Sequence, residues 1–157
     1  MGDTFVLPEA MTQEATMYVP GLDGGKMSKS RENTLNIFDD PKALKKRINK
    51  EIVTDATPLE DPKDPEANVT HSLYCLVASE AQADEMARQL QAGGYGWGHA
   101  KKALLEALVD GFAEERARFH ELMADKAQID EALAKGAEKA RAVAGEVLSR
   151  VRSRAGY

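Results

Sequence analysis

From Asp39 onward the apolar residues recur at three- and four-residue spacing, and each such stretch carries its own start or stop signal. That pattern confines most of the chain to helices. Asp39-Asp40-Pro41 supplies the first start, an acidic cap followed by proline in the first turn. The spacing predicts a helix to about residue 53, with Leu44, Ile48 and Ile52 on one side and Lys42, Lys46 and Lys50 opposite. A proline-rich acidic connection covers 57–65. Asn68 is placed to cap a short helix to residue 78, and Ser79 another to 91, which Gly93-Gly94 stops. Two long helices should follow. The first, about 97–124, carries Leu105, Leu108, Phe112, Phe119 and Leu122 as one stripe; the second, about 126–152, carries Ile129, Leu133, Ala140, Val147 and Val151. A short joint near Asp125 would make them neighbours in a helical bundle.

The first 38 residues differ. Phe5-Val6-Leu7-Pro8 and Thr16-Met17-Tyr18-Val19 are short β-prone runs. Two strands alone are marginal, so they are expected to complete a sheet whose other strands lie outside this chain. Aromatic residues are only 6%, which disfavours a β-sandwich and suits an Ala/Leu-packed helical body. No apolar run reaches membrane-spanning length, and no signal peptide is expected. The single cysteine, Cys75, cannot form an internal disulfide, which points to a reducing cytoplasm. Its apolar surroundings, Leu73 to Val77, suggest a small buried core residue. The net charge of −5 argues against a nucleic-acid partner only as a sum. Residues 23–54 and 136–157 are each net basic and flank an acidic middle, a distribution that permits a polyanion.

Chemistry concentrates in Gly24-Gly25-Lys26-Met27-Ser28-Lys29-Ser30. Two lysines three residues apart on a glycine-rich, flexible turn suit a polyphosphate, because each ammonium is a compact charge with three donors. Ser28 and Ser30 add hydroxyls, and the loop backbone can offer N–H groups to an anion. The plain alternative is a solvated linker or modification site, since short Lys/Ser strings are common. The G-x-x-x-x-G-K-[ST] spacing of a Walker loop is missing.

The string K-M-S-K-S, after a β-prone run and before helices, resembles the signature loop of class I aminoacyl-tRNA synthetases. Four stretches resemble the tryptophanyl-tRNA synthetases, in that family's order: V-P-G-L-D-G-G-K-M-S-K-S, E-I-V-T-D-A-T-P, G-G-Y-G-W-G-H-A-K-K and G-A-E-K-A-R-A-V-A. The tyrosyl relatives have a different tail. The resemblance implies a mainly α chain: the last strands and signature loop of a truncated Rossmann-type nucleotide-binding domain over 1–38, then a helical anticodon-binding domain over 39–157. It implies activation of L-tryptophan with ATP, release of pyrophosphate, and transfer to tRNA(Trp). Lys26 and Lys29 would hold the ATP phosphates and neutralise charge on the leaving pyrophosphate. Val19 and Met27 would lie against the adenine, and Ser28 and Ser30 would support the loop and touch phosphate or ribose. Mg2+ would accompany ATP on phosphate oxygens and water, with no metal ligand from this chain. The full-length family is homodimeric, cytoplasmic and not membrane-bound.

One departure bears on activity. The family's histidine-containing second signature is matched by none of His71, His99 and His120, and the tryptophan pocket lies upstream. The chain alone is therefore expected to be inactive. Lys139, Arg141, Arg150, Arg152 and Arg154 make the last helix the candidate tRNA contact, against the simpler reading of solvated heads on packed stems. The Lys42, Lys46 and Lys50 row is similarly either solvated or near the acceptor stem. Trp97 and Tyr95 are expected to anchor a helix start, with base stacking as the alternative. His99 and His120 lack metal-ligand spacing. Asp55 should end the first helix by local hydrogen bonding. Outside the enzyme reading stand a free-standing helical RNA-binding module and a helical protein-interaction domain.

Overall fold

The structure, a computed structural model, describes residues 4–13 and 17–157; Thr16 of the second β-prone run lies outside them. The chain divides into two compact units, Thr12–Ala117 in one and Met1–Met11 with Arg118–Tyr157 in the other. Six α-helices are described: α1 Pro41–Glu51, α2 Val69–Cys75, α3 Glu80–Ala92, α4 Trp97–Gly111, α5 Ala113–Ala124 and α6 Lys126–Ala155.

The local signals act as expected at most helix ends. Asp40 caps α1, its carboxylate accepting from the Lys42 N–H at 2.8 Å with Pro41 in the first turn. Asn68 caps α2 by accepting from the Thr70 N–H at 2.8 Å. At α3 the Gln82 side chain reaches back to accept from the Ser79 N–H at 3.0 Å. Gly93 ends that helix at φ 80° and ψ 170°, a backbone region open essentially to glycine. Glu60 fills the space beside it: a Cβ at Gly93 would lie 2.3 Å from the Glu60 carbonyl oxygen.

In the first unit α2 packs against α3 and α4, and α1 packs against α4. Their shared core holds Ile48, Leu73, Met86, Leu90, Trp97, Ala100, Leu104 and Leu108, with Leu22 contributed from the loop that precedes the helices. Three buried cations are held by backbone carbonyls. Lys63 donates to the carbonyls of Pro58, Leu59 and Asp61 at 2.7–3.0 Å. Lys101 donates to Ile52 O at 3.0 Å and Asn49 O at 3.3 Å, closing the C-terminal end of α1. Arg116 donates to Leu108 O and Val109 O at the end of α4, and to Ile37 O at 2.9 Å. Carbonyls at a helix C-terminus carry partial negative charge, so the Lys101 and Arg116 sites are electrostatic matches as well as hydrogen-bond partners.

Several expectations are corrected. The single helix expected over 97–124 is two, interrupted at Phe112, whose φ of −115° and ψ of 24° are not helical. Gly111 weakens the helix there, and the Arg116 guanidinium takes the carbonyls that a continuing helix would use for itself. The buried line of α4 runs through Ala100, Leu104 and Leu108; Leu108 was expected in it, but Leu104 takes the place of Leu105, which is only half-buried. Cys75 is exposed, its sulfur 3.6 Å from His71 Nε2. The buried residues of α2 are Thr70, Leu73 and Tyr74, so helical rotation carries Cys75 outward although the run around it is apolar. The two β-prone runs form no strand among the described residues; an isolated antiparallel bridge pairs Pro20 with Lys26. Phe5, Val6 and Leu7 are mostly exposed, as expected for a run without a neighbouring ladder.

In the second unit Asp125 caps α6, accepting from the Ala127 N–H at 3.2 Å. The helix contains no buried residue. Ile129, Val147 and Val151 are half-buried, while Leu133 and Ala140 are exposed, so the expected stripe is not the covered seam of a bundle. Phe5 lies with Ala144, Val147, Leu148 and Val151 along an apolar groove of about 800 Å3. Arg150 and Arg154 donate to the carbonyl and hydroxyl of Thr4, both at 3.1 Å. No helix among the described residues is long and apolar enough to cross a membrane.

Candidate functional site

The glycine-rich turn and its two lysines form a small hairpin fastened at its base. Gly21 N–H donates to Gly25 O at 2.6 Å, and Met27 N–H to Val19 O at 2.9 Å. Leu22, 2% exposed, plugs the turn into the helical core. Burying a leucine side chain is worth about 1.5–3 kcal/mol, so the base of the loop is an anchored element. Its backbone is tied on both sides: Leu22 N–H donates to Asn33 O and Val53 N–H to Leu22 O, each at 2.9 Å. The second bond joins the loop to the end of α1.

Lys26 and Lys29 project from this frame and are exposed. Among the described residues neither ammonium is ion-paired, in contrast to Arg31, which pairs with Asp23 at 3.2 Å. Ser28 is half-buried and Ser30 exposed, their hydroxyl oxygens 2.8 Å apart. Lys29–Arg31 form a single 3-10 turn. Val19 and Met27 are half-buried with side chains against the core. The structure thus brings all six expected site residues into one hairpin, with the two amines free to meet an anion.

The loop backbone is less available than expected. The amides of Gly21, Gly24, Met27 and Arg31 donate to loop carbonyls, and those of Gly25 and Ser28 to the side chains of Asp23 and Asn33. These six amides are therefore taken up within the loop, while the two lysine ammonium groups remain exposed. Hydrogen bonds to the Asp23 carboxylate, the Asn33 amide first, together with the Arg31 charge, hold its pKa below the ordinary value. It stays ionised as a fixed internal acceptor.

Asn33 is the residue that sequence reasoning missed. Its side chain, in a residue 4% exposed, bonds three parts of the loop. Nδ2 donates to Asp23 Oδ1 at 2.6 Å and to Lys26 O at 3.1 Å, and Oδ1 accepts from Ser28 N–H at 2.8 Å. The available signal was an uncharged amide ending a charged run, Lys29-Ser30-Arg31-Glu32-Asn33, three residues after the signature. Gly21 is required by the same side chain: a Cβ there would sit 2.1 Å from Asn33 Nδ2.

Beside the hairpin, Tyr18, Pro20 and Gly24 line an open cleft of about 480 Å3 opposite Glu66, Asn68, Ser72 and Cys75; neither lysine lines it. Asp55 accepts from Thr57 N–H and from Trp97 Nε1, both at 2.9 Å, so Trp97 is an anchored helix start. His99 Nδ1 accepts from Gly96 N–H at 3.2 Å, a capping role at the start of α4. Among the described residues no three His, Cys, Asp or Glu side chains converge as a metal site.

A family model described as tRNA synthetases class I (W and Y) matches residues 1–113. The chain is 46% identical to a tryptophan–tRNA ligase of Rhodopirellula baltica, over 99% of its own length and 48% of the relative's. It is 41% identical to that of Campylobacter jejuni over the same shares. It is similar in structure to the crystallised tryptophanyl-tRNA synthetase from Campylobacter jejuni complexed with ADP and tryptophan. That match has a TM-score of 0.83 at 40% identity, over 99% of this chain and 49% of that one. The chain spans about half the length of the curated relatives it matches.

Proposed function

Because this chain belongs to the class I tRNA synthetases of the tryptophan and tyrosine type, we propose that it supplies the ATP-phosphate grip of a tryptophan–tRNA ligase. Lys26 and Lys29 hold the phosphates of ATP, and Ser28 and Ser30 support them through their hydroxyls. Val19 and Met27 form the rim on the adenine side. The carboxylate of L-tryptophan attacks the α-phosphorus, the bond to the bridging oxygen breaks, and pyrophosphate leaves. No general base is needed. The negative charge that builds on the leaving group is met by the two ammonium groups, so their contact is strongest in the transition state. Mg2+ would travel with ATP on phosphate oxygens and water.

Residues 1–38 then belong to the catalytic domain and 39–157 to a helical domain that faces tRNA(Trp). On α6, Lys139, Arg141 and Arg152 are exposed and make no ion pair among the described residues, which leaves them for a phosphate backbone. Full-length partners follow the same reading: a second copy in a homodimer, in the cytoplasm.

The observation that carries the proposal is the pair of unpaired lysines on an anchored hairpin, in a chain that aligns along nearly its whole length with tryptophan–tRNA ligases. The test is complementation. The isolated chain is expected to show no tryptophan-dependent ATP–pyrophosphate exchange. Mixed with the N-terminal portion of a related ligase it should restore exchange, and the Lys29→Ala chain should restore at least about tenfold less. Equal rescue by both chains would reduce the loop to a scaffold.

A further inference from the structure

We infer that Asn33 is a positioning residue for the phosphate grip: its side-chain amide fixes the Lys26–Lys29 backbone in the geometry that presents both ammonium groups. The inference rests on the phosphate-binding reading of the loop. Three observations carry it. The amide is buried, yet its three hydrogen bonds all go to the loop: Asp23 before the lysines, Lys26 O at the first, and Ser28 N–H just before the second. The chemistry of those partners fixes which end is which, since Nδ2 faces a carboxylate and a carbonyl and Oδ1 faces an N–H. Gly21 leaves a space that only the amide fills, so the loop is shaped around this side chain.

Asn33 touches no ammonium group, and its effect passes through the peptide units at Lys26 and Ser28. A lysine on an unconstrained tether would spread over many rotamers and backbone states, and each would have to be frozen when the phosphate binds. The clasp removes the backbone share of that cost beforehand. It also occupies the Ser28 N–H, which is thereby withdrawn from anion binding. Asp23 supports the clasp from the far side through Asn33, Gly25 N–H and Arg31.

The test uses the whole chain, with Mg-ATP as the probe at low salt, and reads two quantities. Amide hydrogen exchange at Ser28 reports the clasp, with Leu104 as internal reference; calorimetric affinity reports the grip. Asn33→Ala should speed Ser28 exchange and weaken Mg-ATP binding, each by about tenfold, with Leu104 unmoved. Asn33→Asp keeps the size and the Ser28 acceptor but loses both donors beside Asp23. It should also weaken binding about tenfold, which keeps the test open if the alanine variant folds poorly. Lys29→Ala should weaken binding while leaving Ser28 exchange unchanged, so that lost affinity alone does not open the clasp; weaker binding by the Asn33 variants is what a merely structural clasp would not produce. If both Asn33 variants bind Mg-ATP within twofold of the parent, the positioning role is wrong. If the parent chain alone binds too weakly to read, the same comparison is made on the ATP–pyrophosphate exchange it restores; if Lys29→Ala costs nothing there while Asn33→Ala still frees Ser28, the phosphate reading itself fails and the clasp is structural only.

Discussion

The signature hairpin and helix α6 both display basic side chains to solvent, but they are held by different means. The hairpin has little regular structure, yet Leu22 sits in the core and its backbone is tied to Asn33 and to the end of α1. Helix α6 is thirty residues long and regular, yet none of its residues is fully buried. Its definition comes from its own hydrogen bonds, the Asp125 cap and the reach of Arg150 and Arg154 to Thr4. Regularity and fixation are therefore separate properties. The irregular segment gives Lys26 and Lys29 a backbone tied to the core, whereas the cations of α6 stand on a helix defined mainly by its own ladder.

The contrast can be broken most directly in the cores. Leu104→Ala should cost about 2–5 kcal/mol in urea unfolding followed by Trp97 fluorescence, because Leu104 is fully buried. Leu133→Ala on α6 should stay within about 0.5 kcal/mol. Similar losses at both positions would mean that α6 is packed after all.

Lys101→Met should cost about 1–3 kcal/mol, since it leaves the α1 carbonyls buried without their donor. Burial pushes the Lys101 pKa below its ordinary value of 10.5. Between those two values the unfolded chain holds the proton more tightly, so the parent gains stability as pH rises. Unfolding free energies should therefore diverge in favour of the parent as pH approaches 10.5.

Glycines extend the comparison to the two units, which predict opposite signs. Gly93→Ala meets the Glu60 carbonyl and a positive φ, and should destabilise by at least about 1 kcal/mol. Gly145→Ala lies inside α6 with nothing within 4 Å of the added carbon, and should stabilise that helix by about 0.5–1 kcal/mol. Circular dichroism during thermal melting checks both. The smallest effect is at Asp55. Hydrogen bonds from the Thr57 side chain and amide, then the Trp97 indole, hold its carboxyl below the ordinary 3.8. That stabilisation is present above 3.8 and is lost as pH falls through the folded value. Asp55→Asn should flatten the acid side of the unfolding profile, and an unchanged profile would remove Asp55 from the account of Trp97.

Much of the helical layout was legible. Asp40, Asn68, Ser79 and Gly93-Gly94 mark ends where the structure places them, because a cap satisfies an amide or carbonyl within about four residues of itself. The grouping of the lysine pair with its serines on one exposed loop was also legible, since these residues lie in one short string. The rotation of α2 was missed because an unbroken apolar run gives no phase, and Cys75 turned outward. The break at Phe112 was missed because its cause, Arg116, also needs Ile37, 79 residues away.

By itself the sequence determined where most helices begin and end and which loop concentrates two lysines and two serines, since both follow from side chains in immediate succession. Only the tertiary structure decided what holds that loop. Asn33 reaches Asp23 ten residues back, Asp55 reaches Trp97 across 42, and Lys101 reaches Ile52 across 49. A buried donor must find an acceptor, but which one it finds depends on the segments that the core has already brought together.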